Sequence, residues 1–169
     1  MLYRRHQGPV FRFALHMSGS PEIAEEVTQE VFLAMLTARR YAAAQGSLQG
    51  YLIGIARNHV RRQLRAAREI AIETITGGGE PQGDSREDLL HELSRNQELG
   101  ALRNAILSLP PNYREVVVLC DIEGMDYVQT AMQLGCAVGT VRSRLHRGRA
   151  ILEMKLSGNR ARGREKCPA

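Results

Sequence analysis

The stretch AVGTVRSRLHRGRAIL, residues Ala137–Leu152, decides how the rest of the chain is interpreted. Its apolar residues Val141, Leu145 and Leu152 recur at near-helical spacing, which predicts one buried helix face. Arginines occupy the other faces, and no acidic residue follows until Glu153. The stretch therefore predicts an amphipathic helix with a basic surface. Such a surface is often only a solvated face, and the arginine pattern alone leaves that interpretation open.

The residues just before this helix favour DNA as its partner. Tyr127–Leu134 has the pattern of a short helix that Asp126 can cap, and Gly135-Cys136 predicts a tight turn. Two short helices joined across a glycine turn, the second of them basic, are typical of a helix-turn-helix. In that motif the second helix enters the major groove of DNA.

Composition sets the broad class of the protein. The chain has 169 residues, 43% of them hydrophobic, and a formal net charge of +5, which favours an anionic partner. Its three cysteines, Cys120, Cys136 and Cys167, have neither zinc-site spacing nor the pattern of a disulfide framework. No segment has the features of a signal peptide or the length of a membrane span. We therefore expect a cytoplasmic protein without membrane insertion, metal or cofactor.

The second predicted helix, Pro21 to roughly Arg40, is acidic. It has no lysine or arginine from Ser18 to Ala38, and apolar residues stand beside its glutamates. Such a surface would repel DNA and suits a protein partner. A plain solvated face, with Phe32 in the core, is the alternative that composition alone leaves open.

A second basic helix is predicted from Leu48 to about Arg68. It has no acidic residue between Tyr51 and Arg68, and it is separate in sequence from the helix-turn-helix. Two acid-free basic helices in one short chain favour a shared polyanion as the partner of both. Its arginines are Arg57, Arg61, Arg62, Arg65 and Arg68.

Between these units, Ile70–Arg86 loses the helical pattern and contains three consecutive glycines, which predicts a flexible linker. We therefore predict an all-α chain of two small helical domains joined by a flexible linker, with a helix-turn-helix in the C-terminal one. The N-terminal unit is expected to contain four helices. The predicted boundaries are 1–69 for the N-terminal domain, 70–86 for the linker, 87–157 for the C-terminal domain and 158–169 for a basic tail.

Four blocks of the sequence, in order, resemble the extracytoplasmic-function (ECF) group of bacterial sigma factors. Together they extend over most of the two predicted domains, and their order with the linker between them is far more specific than a lone helix-turn-helix. The blocks are Ala24–Phe32, Tyr51–Asn58, Leu109–Val116, and the helix-turn-helix of Tyr127–Gly135 with Val138–Arg149.

The resemblance implies a function and a set of contact residues. The acidic helix would bind core RNA polymerase, the N-terminal basic helix would melt and read the minus-ten promoter element, and the C-terminal one would read the minus-thirty-five element as duplex. It also implies an anti-sigma factor as a further partner. The implied polymerase contacts are Glu26, Gln29, Glu30 and Phe32; the minus-ten contacts are Arg57, Asn58, Arg61, Arg62 and Arg65; the minus-thirty-five contacts are Thr140, Arg142, Ser143, Arg144 and Arg147.

Two other classes of function were weighed. A stand-alone helix-turn-helix regulator explains the C-terminal unit but leaves the acidic helix and the other basic helix without a role. A recombinase or nuclease would need a nucleophile with a base or a set of metal-binding carboxylates, and the acids here cluster on one helix at the spacing of a solvated face. We therefore expect no catalytic residues and no enzymatic activity.

Overall fold

The computed structural model describes residues 2–38, 41, 47–73 and 90–164. Within these ranges the chain is all-α, as predicted, and contains no strand. The α-helices are α1 (Leu2–Ser18), α2 (Pro21–Ala38), α3 (Leu48–Glu73), α4 (Leu90–Leu107), α5 (Pro111–Val117), α6 (Tyr127–Leu134) and α7 (Val138–Arg164). One turn of π-helix, Val118–Ile122, continues directly from α5.

Local sequence signals set the first residues of α2 and α3. The Ser20 hydroxyl accepts a hydrogen bond from the Ile23 amide at 3.2 Å, and the Ser47 hydroxyl accepts one from the Gly50 amide at 3.1 Å. Each bond satisfies one of the free N–H groups of a helix N-terminus. The caps therefore fix where α2 and α3 begin.

The N-terminal helices pack around one apolar core. Phe13 of α1, Val27 and Val31 of α2, and Leu52 and Val60 of α3 are almost completely buried. These residues form the buried apolar stripes of three amphipathic helices. The exposed faces of these helices are left for charged residues.

The same core continues into the C-terminal part of the chain. Ile106 of α4, Val118 and Leu119 of the π-helical turn, and Met125 after it are buried in one cluster with the N-terminal residues. The two predicted domains are thus in direct contact, and each contributes apolar side chains to the other's core.

A second cluster holds the helix-turn-helix against α5. It contains Val116 and Val117 of α5, Ala131 of α6, and Val141 and Leu145 of α7. One turn after Leu145, Gly148 is buried, and a Cβ added there would lie 2.8 Å from Val117 Cγ2. Glycine at this position therefore permits the close approach of α7 to α5.

The turn between α6 and α7 has the predicted chemistry. The Asp126 carboxylate accepts a hydrogen bond from the Gln129 amide at 2.7 Å, which caps α6. Gly135 ends α6 with φ of 63°, a left-handed conformation that glycine adopts without a Cβ penalty. The two short helices and this turn form the helix-turn-helix.

Several expected boundaries differ from the structure. α3 continues to Glu73, so residues 70–73 of the predicted linker are helical, while 74–86 lie outside the described residues. The described N-terminal unit has three helices, not the expected four. α7 continues to Arg164, well into the predicted tail, because nothing after Leu152 breaks the helix before the chain leaves the described range. Residues 165–169 of that tail lie beyond the described part.

None of the described helices is both long enough and apolar enough to cross a membrane.

Candidate nucleic-acid interface

The first three turns of α7 carry the residues predicted to read duplex DNA. Arg142, Ser143 and Arg147 are exposed, and Thr140 and Arg144 are half-buried. They lie outside the buried stripe of Val141 and Leu145. All five predicted residues are therefore at least partly exposed to solvent on α7.

Two contacts orient the start of this surface. The Arg142 guanidinium lies over the Tyr127 ring at 5.7 Å from its centroid, a distance at which a cation–π attraction operates. The Ser143 hydroxyl donates to the Thr140 carbonyl at 3.0 Å. Both contacts are local to the helix-turn-helix and leave the Arg142 guanidinium edge open to a phosphate or base.

Among the arginines of α7 whose side chains the structure describes, Arg149 is the one with an acidic partner. Its guanidinium forms two hydrogen bonds to the Asp121 carboxylate, at 2.5 and 3.0 Å. This hydrogen-bonded charge pair raises the pKa of Arg149. The pair joins α7 to the π-helical turn and gives Arg149 a structural contact within the C-terminal unit.

The residues predicted for the minus-ten element lie together on α3. Asn58, Arg61, Arg62 and Arg65 line a surface groove of about 450 Å³ along the helix. Arg57 lies one turn before Arg61 but has a different environment. Its side chain is only 14% exposed and its Nε lies 2.5 Å from Glu115 Oε1 on α5.

α2 and α3 are linked by ion pairs between their predicted contact residues. The Glu30 carboxylate accepts a hydrogen bond from Arg62 at 3.2 Å and is also in contact with the His59 ring nitrogen. Arg62 and Glu30 were assigned to different partners from the sequence. In the structure they neutralise each other in part, so neither is a free surface charge.

The predicted polymerase contacts of α2 fall into two groups. Glu26 and Gln29 are exposed, whereas Phe32 is half-buried and its ring packs edge-on against Tyr3 at 4.8 Å between centroids. Phe32 also packs against the core, which was the alternative that composition had left open. The helix thus offers acids and an amide to solvent and keeps its aromatic ring partly inside.

Two exposed leucines on α2 were not among the predicted contacts. Leu33 is 61% exposed and Leu36 is 74% exposed, which is unusual for large apolar side chains. The available signal was that neither fits the four-residue stripe through Val27 and Val31. Exposed apolar residues beside acids are typical of a protein-binding surface.

A cavity of about 620 Å³ lies where α3 meets α6. Tyr51, Gly54 and Asn58 line it from α3, and Gln129 and Gln133 line it from α6. The Gln133 side-chain amide donates a hydrogen bond to the Gly50 carbonyl across this junction. Asn58 therefore faces both the basic groove of α3 and the junction between the two parts of the chain.

Charged residues that the sequence did not single out also link the N-terminal helices to the C-terminal part of the chain. Arg12 of α1 contacts Glu123 at 3.4 Å, and burial raises the pKa of Glu123 while Arg12 opposes that rise. Arg114 of α5 donates to the Met17 carbonyl at 3.0 Å, and burial lowers the pKa of its guanidinium. Arg114 lies within a sequence block that was recognised, but no pattern in the sequence identifies a partner 97 residues away.

Comparison with known families places this geometry in a class. The family model for sigma-70 region 2 matches residues 2–70, and that for sigma-70 region 4 matches residues 99–152. The first match contains α1 to α3, and the second contains the helix-turn-helix. The protein is therefore of the sigma-70 class of transcription initiation factors, with regions 2 and 4.

Comparison with curated relatives identifies the group to which the chain belongs within the sigma-70 class. The chain is 38% identical to the ECF RNA polymerase sigma factor SigE of Mycolicibacterium smegmatis over 89% of its own length, and it spans 58% of the length of that protein. It is 31% identical to the ECF RNA polymerase sigma factor EcfG of Rhodopseudomonas palustris, over 85% of this chain and 77% of that one. The chain belongs to the ECF sigma factor family.

Two solved structures share the fold. The sigma factor RpoE of Bartonella quintana, determined in complex with the anti-sigma factor NepR, matches with a TM-score of 0.74 at 22% identity, over 91% of this chain and 93% of that one. CnrH, determined in complex with the cytosolic domain of CnrY, matches with a TM-score of 0.68 at 24% identity, over 93% and 86%. The arrangement of helices is thus the one found in those two structures.

Proposed function

We propose that the chain is an alternative sigma factor that binds core RNA polymerase and directs it to one class of promoters. In this proposal α2 docks on the polymerase, α3 melts and reads the minus-ten element, and α7 reads the minus-thirty-five element. The observation that supports the proposal is that these three helices, in a chain of this family, expose different kinds of side chain. α2 exposes acids and leucines, whereas α3 and α7 expose arginines.

Each assigned surface suits the chemistry of its partner. Exposed Glu26 and Gln29 beside Leu33 provide a polar and apolar patch for another protein. Arg61 and Arg65 lie one turn apart on α3 and can bind phosphates of an opened strand, which supplies affinity without sequence information. Unstacking bases costs on the order of a few kcal/mol, and such phosphate contacts help to offset it.

On α7, the assigned residues divide between phosphate and base contacts. Thr140 lies at the start of the helix, where free backbone N–H groups favour a phosphate. Arg142, Arg144 and Arg147 extend from the following turns and can reach base edges in the major groove. One bidentate pair between arginine and guanine contributes about 1–3 kcal/mol of discrimination between bases.

This role needs no catalytic residue and no cofactor of the chain's own, and we place the protein in the cytoplasm, where RNA polymerase acts. A stand-alone helix-turn-helix regulator is the less favoured alternative. It accounts for α6 and α7 but not for the match of residues 2–70 to sigma-70 region 2.

Transcription in vitro with core RNA polymerase tests the proposal. We expect the chain alone to bind promoter duplex weakly, and the chain with core enzyme to start transcription at one promoter class. Tight specific binding without polymerase, together with no transcripts in its presence, would support the regulator instead.

Glu26→Lys is the variant that tests the docking surface most directly. Glu30 is also an implied polymerase contact, but it binds Arg62, so its replacement would also disturb α3. We expect Glu26→Lys to weaken polymerase binding at every promoter, measured as the dissociation constant for core enzyme. Glu153→Lys, the same charge change at an exposed site on α7, serves as the matched control and should bind core enzyme as the unmodified chain does.

We also propose an anti-sigma protein as a further partner. The support is that one matching structure is, by its description, a sigma factor in complex with an anti-sigma factor, and that another, CnrH, was also determined in complex with a second protein. Purification of the tagged chain from its native cells tests this. Repeated recovery without such a protein would count against it.

A further inference from the structure

Tyr127, the first residue of α6, holds its ring against α7. The centroid of the ring lies 5.7 Å from the guanidinium carbon of Arg142, which is in the second turn of α7. Tyr127 is 37% exposed and belongs to neither apolar cluster of the described residues. Its ring therefore faces a charged group that the proposed function assigns to DNA, and it is not a part of the core.

Arg142 lies at the side of α7, between the buried face of the helix and its most exposed face. With about 3.6 residues per turn, Ser143 and Arg147 fall opposite the buried stripe that contains Val141. The contact with Tyr127 shows that the side with Arg142 is the one next to α6. Because a free arginine side chain has many rotamers, the contact that holds Arg142 decides where its guanidinium lies.

A second arginine on this side of α7 is held in a different way. Arg149, two turns after Arg142, binds the Asp121 carboxylate through Nε and Nη2. Asp121 raises the pKa of Arg149 most, and the charge of the nearby Tyr127 phenol acts in the same direction. Arg142 has no acidic partner among the described residues, so the Tyr127 ring is the contact that holds its guanidinium.

The two kinds of contact leave different groups of the arginine free. A carboxylate binds a guanidinium through its N–H groups, so the donors of Arg149 that face Asp121 are occupied. An aromatic ring attracts the cation with its face, and it uses none of the five N–H donors in the guanidinium plane. Arg142 can therefore be held by Tyr127 and still donate to both N7 and O6 of a guanine.

We propose that Tyr127 is a positioning residue for promoter reading: its ring, and not its hydroxyl, holds the Arg142 guanidinium where it can meet a base edge in the major groove. The role in reading rests on the proposed function of α7, whereas the contact between ring and guanidinium is present in the free chain. A guanidinium that is already in place loses less conformational freedom on binding, so the contact should strengthen binding to the correct base.

Two substitutions of Tyr127 in the full chain separate the ring from the hydroxyl. Tyr127→Phe keeps the ring, and Tyr127→Leu removes both groups but keeps an apolar side chain. Each is also combined with Arg142→Ala in a double-mutant cycle, which isolates the coupling between the two residues. Dissociation constants of the holoenzymes are measured on a promoter found by mapping transcription start sites, and on versions with single base-pair changes in its upstream element.

We expect Tyr127→Leu to weaken binding to the unchanged promoter by about two- to fivefold, the range of an exposed cation–π contact. It should reduce the preference at the same base pair at which Arg142→Ala reduces it, and leave the other base pairs as they were. Tyr127→Phe should keep most of the affinity and the preference. In a chain that already carries Arg142→Ala, Tyr127→Leu should have no further effect.

Nuclear magnetic resonance of the free chain tests the contact in the absence of DNA. The ring current of Tyr127 shifts the signal of a proton held close to the ring, such as those of the Arg142 side chain. Tyr127→Leu should therefore move the Arg142 side-chain signals, and Tyr127→Phe should leave them near their original positions. If Tyr127→Leu loses helix content by circular dichroism, Tyr127→Gln takes its place, since glutamine also lacks a ring and suits a helix.

No loss of affinity for Tyr127→Leu would overturn the proposal, and so would an equal loss for Tyr127→Phe, because the hydroxyl would then be the group that binds DNA. An equal loss on every altered promoter, or an undiminished loss in the Arg142→Ala chain, would show that Tyr127 acts without Arg142. Unmoved Arg142 signals in Tyr127→Leu would overturn the contact itself. Failure of the proposed sigma function would be distinguishable, as an unmodified chain that starts no transcription with core enzyme while its Arg142 signals still respond to Tyr127→Leu.

Discussion

The two basic helices of this protein differ in how their arginines are partnered. On α3, Arg57 is bound to Glu115 and Arg62 to Glu30, so two of the arginines assigned to DNA already hold carboxylates. On α7, the arginine that binds an acid is Arg149, and its partner is Asp121. Arg142 and Arg147 are exposed on the helix surface. In the proposed function, the α7 surface is already exposed for duplex DNA, whereas part of the α3 surface would first have to exchange carboxylates for phosphates.

The difference matches the order in which the two surfaces would be used. A duplex can be bound by a rigid helix that is already exposed, and the exposed arginines also speed its encounter with DNA. Opened strands appear only after polymerase has been recruited. A minus-ten surface that is partly closed in the free chain would limit binding to arbitrary single strands before that stage.

The largest expected effect comes from a substitution in the apolar cluster that holds α7 against α5. Leu145 is 2% exposed and packs between α5 and α7, so Leu145→Ala leaves a cavity that the neighbouring helices fill only in part. We expect the free energy of unfolding to fall by about 2–5 kcal/mol, measured by urea denaturation. Arg147→Ala, an exposed site two residues later, should change it by less than about 0.5 kcal/mol. If Leu145→Ala lowers the free energy of unfolding by as little as Arg147→Ala, the buried stripe of Val141 and Leu145 does not hold α7 in place.

The next effect separates what the two helices do on DNA. Arg144→Ala should cost about 1–3 kcal/mol of holoenzyme binding at promoters with the matching upstream element and little elsewhere. Arg61→Ala on α3 should weaken binding at all promoters and reduce the salt dependence by about one counterion. Holoenzyme binding at several salt concentrations, on promoters found by mapping transcription start sites, measures both. Equal losses for Arg144→Ala on unrelated sequences would make Arg144 a phosphate contact.

The helices, their caps and the helix-turn-helix could be predicted from the sequence because their signals are local. Ser20, Ser47 and Asp126 each cap a helix through an amide three residues away. Gly135 ends α6 because its own φ allows it. Such features depend on neighbours along the chain, and the periodicity that predicted the buried faces is of the same kind.

The partners of the charged residues could not be predicted in this way. Arg57 and Glu115 are 58 residues apart, and Arg12 and Glu123 are 111 apart. Both pairs depend on how the two halves pack, and no period in the sequence encodes that packing. Glu30 of α2 and Arg62 of α3 are 32 residues apart within the N-terminal half, and their contact likewise depends on how helices pack rather than on a period in the sequence.

The smallest expected effect is a pH dependence at the α1 side of the junction. His16 lies beside Arg12 and Arg103, its Nδ1 is buried with no hydrogen-bond partner among the described residues, and burial, followed by the charges of Arg103 and then Arg12, lowers its pKa. The unfolded chain, whose histidine has a pKa of about 6.5, then binds the proton more readily than the folded chain. Stability that is fully present above that value is therefore lost as the pH falls through the lowered folded-state pKa.

His16→Gln removes the titrating group and should flatten this acid-side loss, measured as the urea midpoint between neutral pH and about pH 5, below the usual histidine pKa. The effect should be the smallest of the three because the ring is only half-buried and water screens part of it. Glu123→Gln should remove a pH dependence of stability that has the opposite sign. Because burial, its largest influence, raises the pKa of Glu123 above its usual range, this carboxyl contributes stability at acid pH that is lost as the pH rises through its folded-state pKa. If the urea midpoint of His16→Gln still falls as much at acid pH, then His16, at the junction of α1 with α4, is not the group whose protonation destabilises the fold.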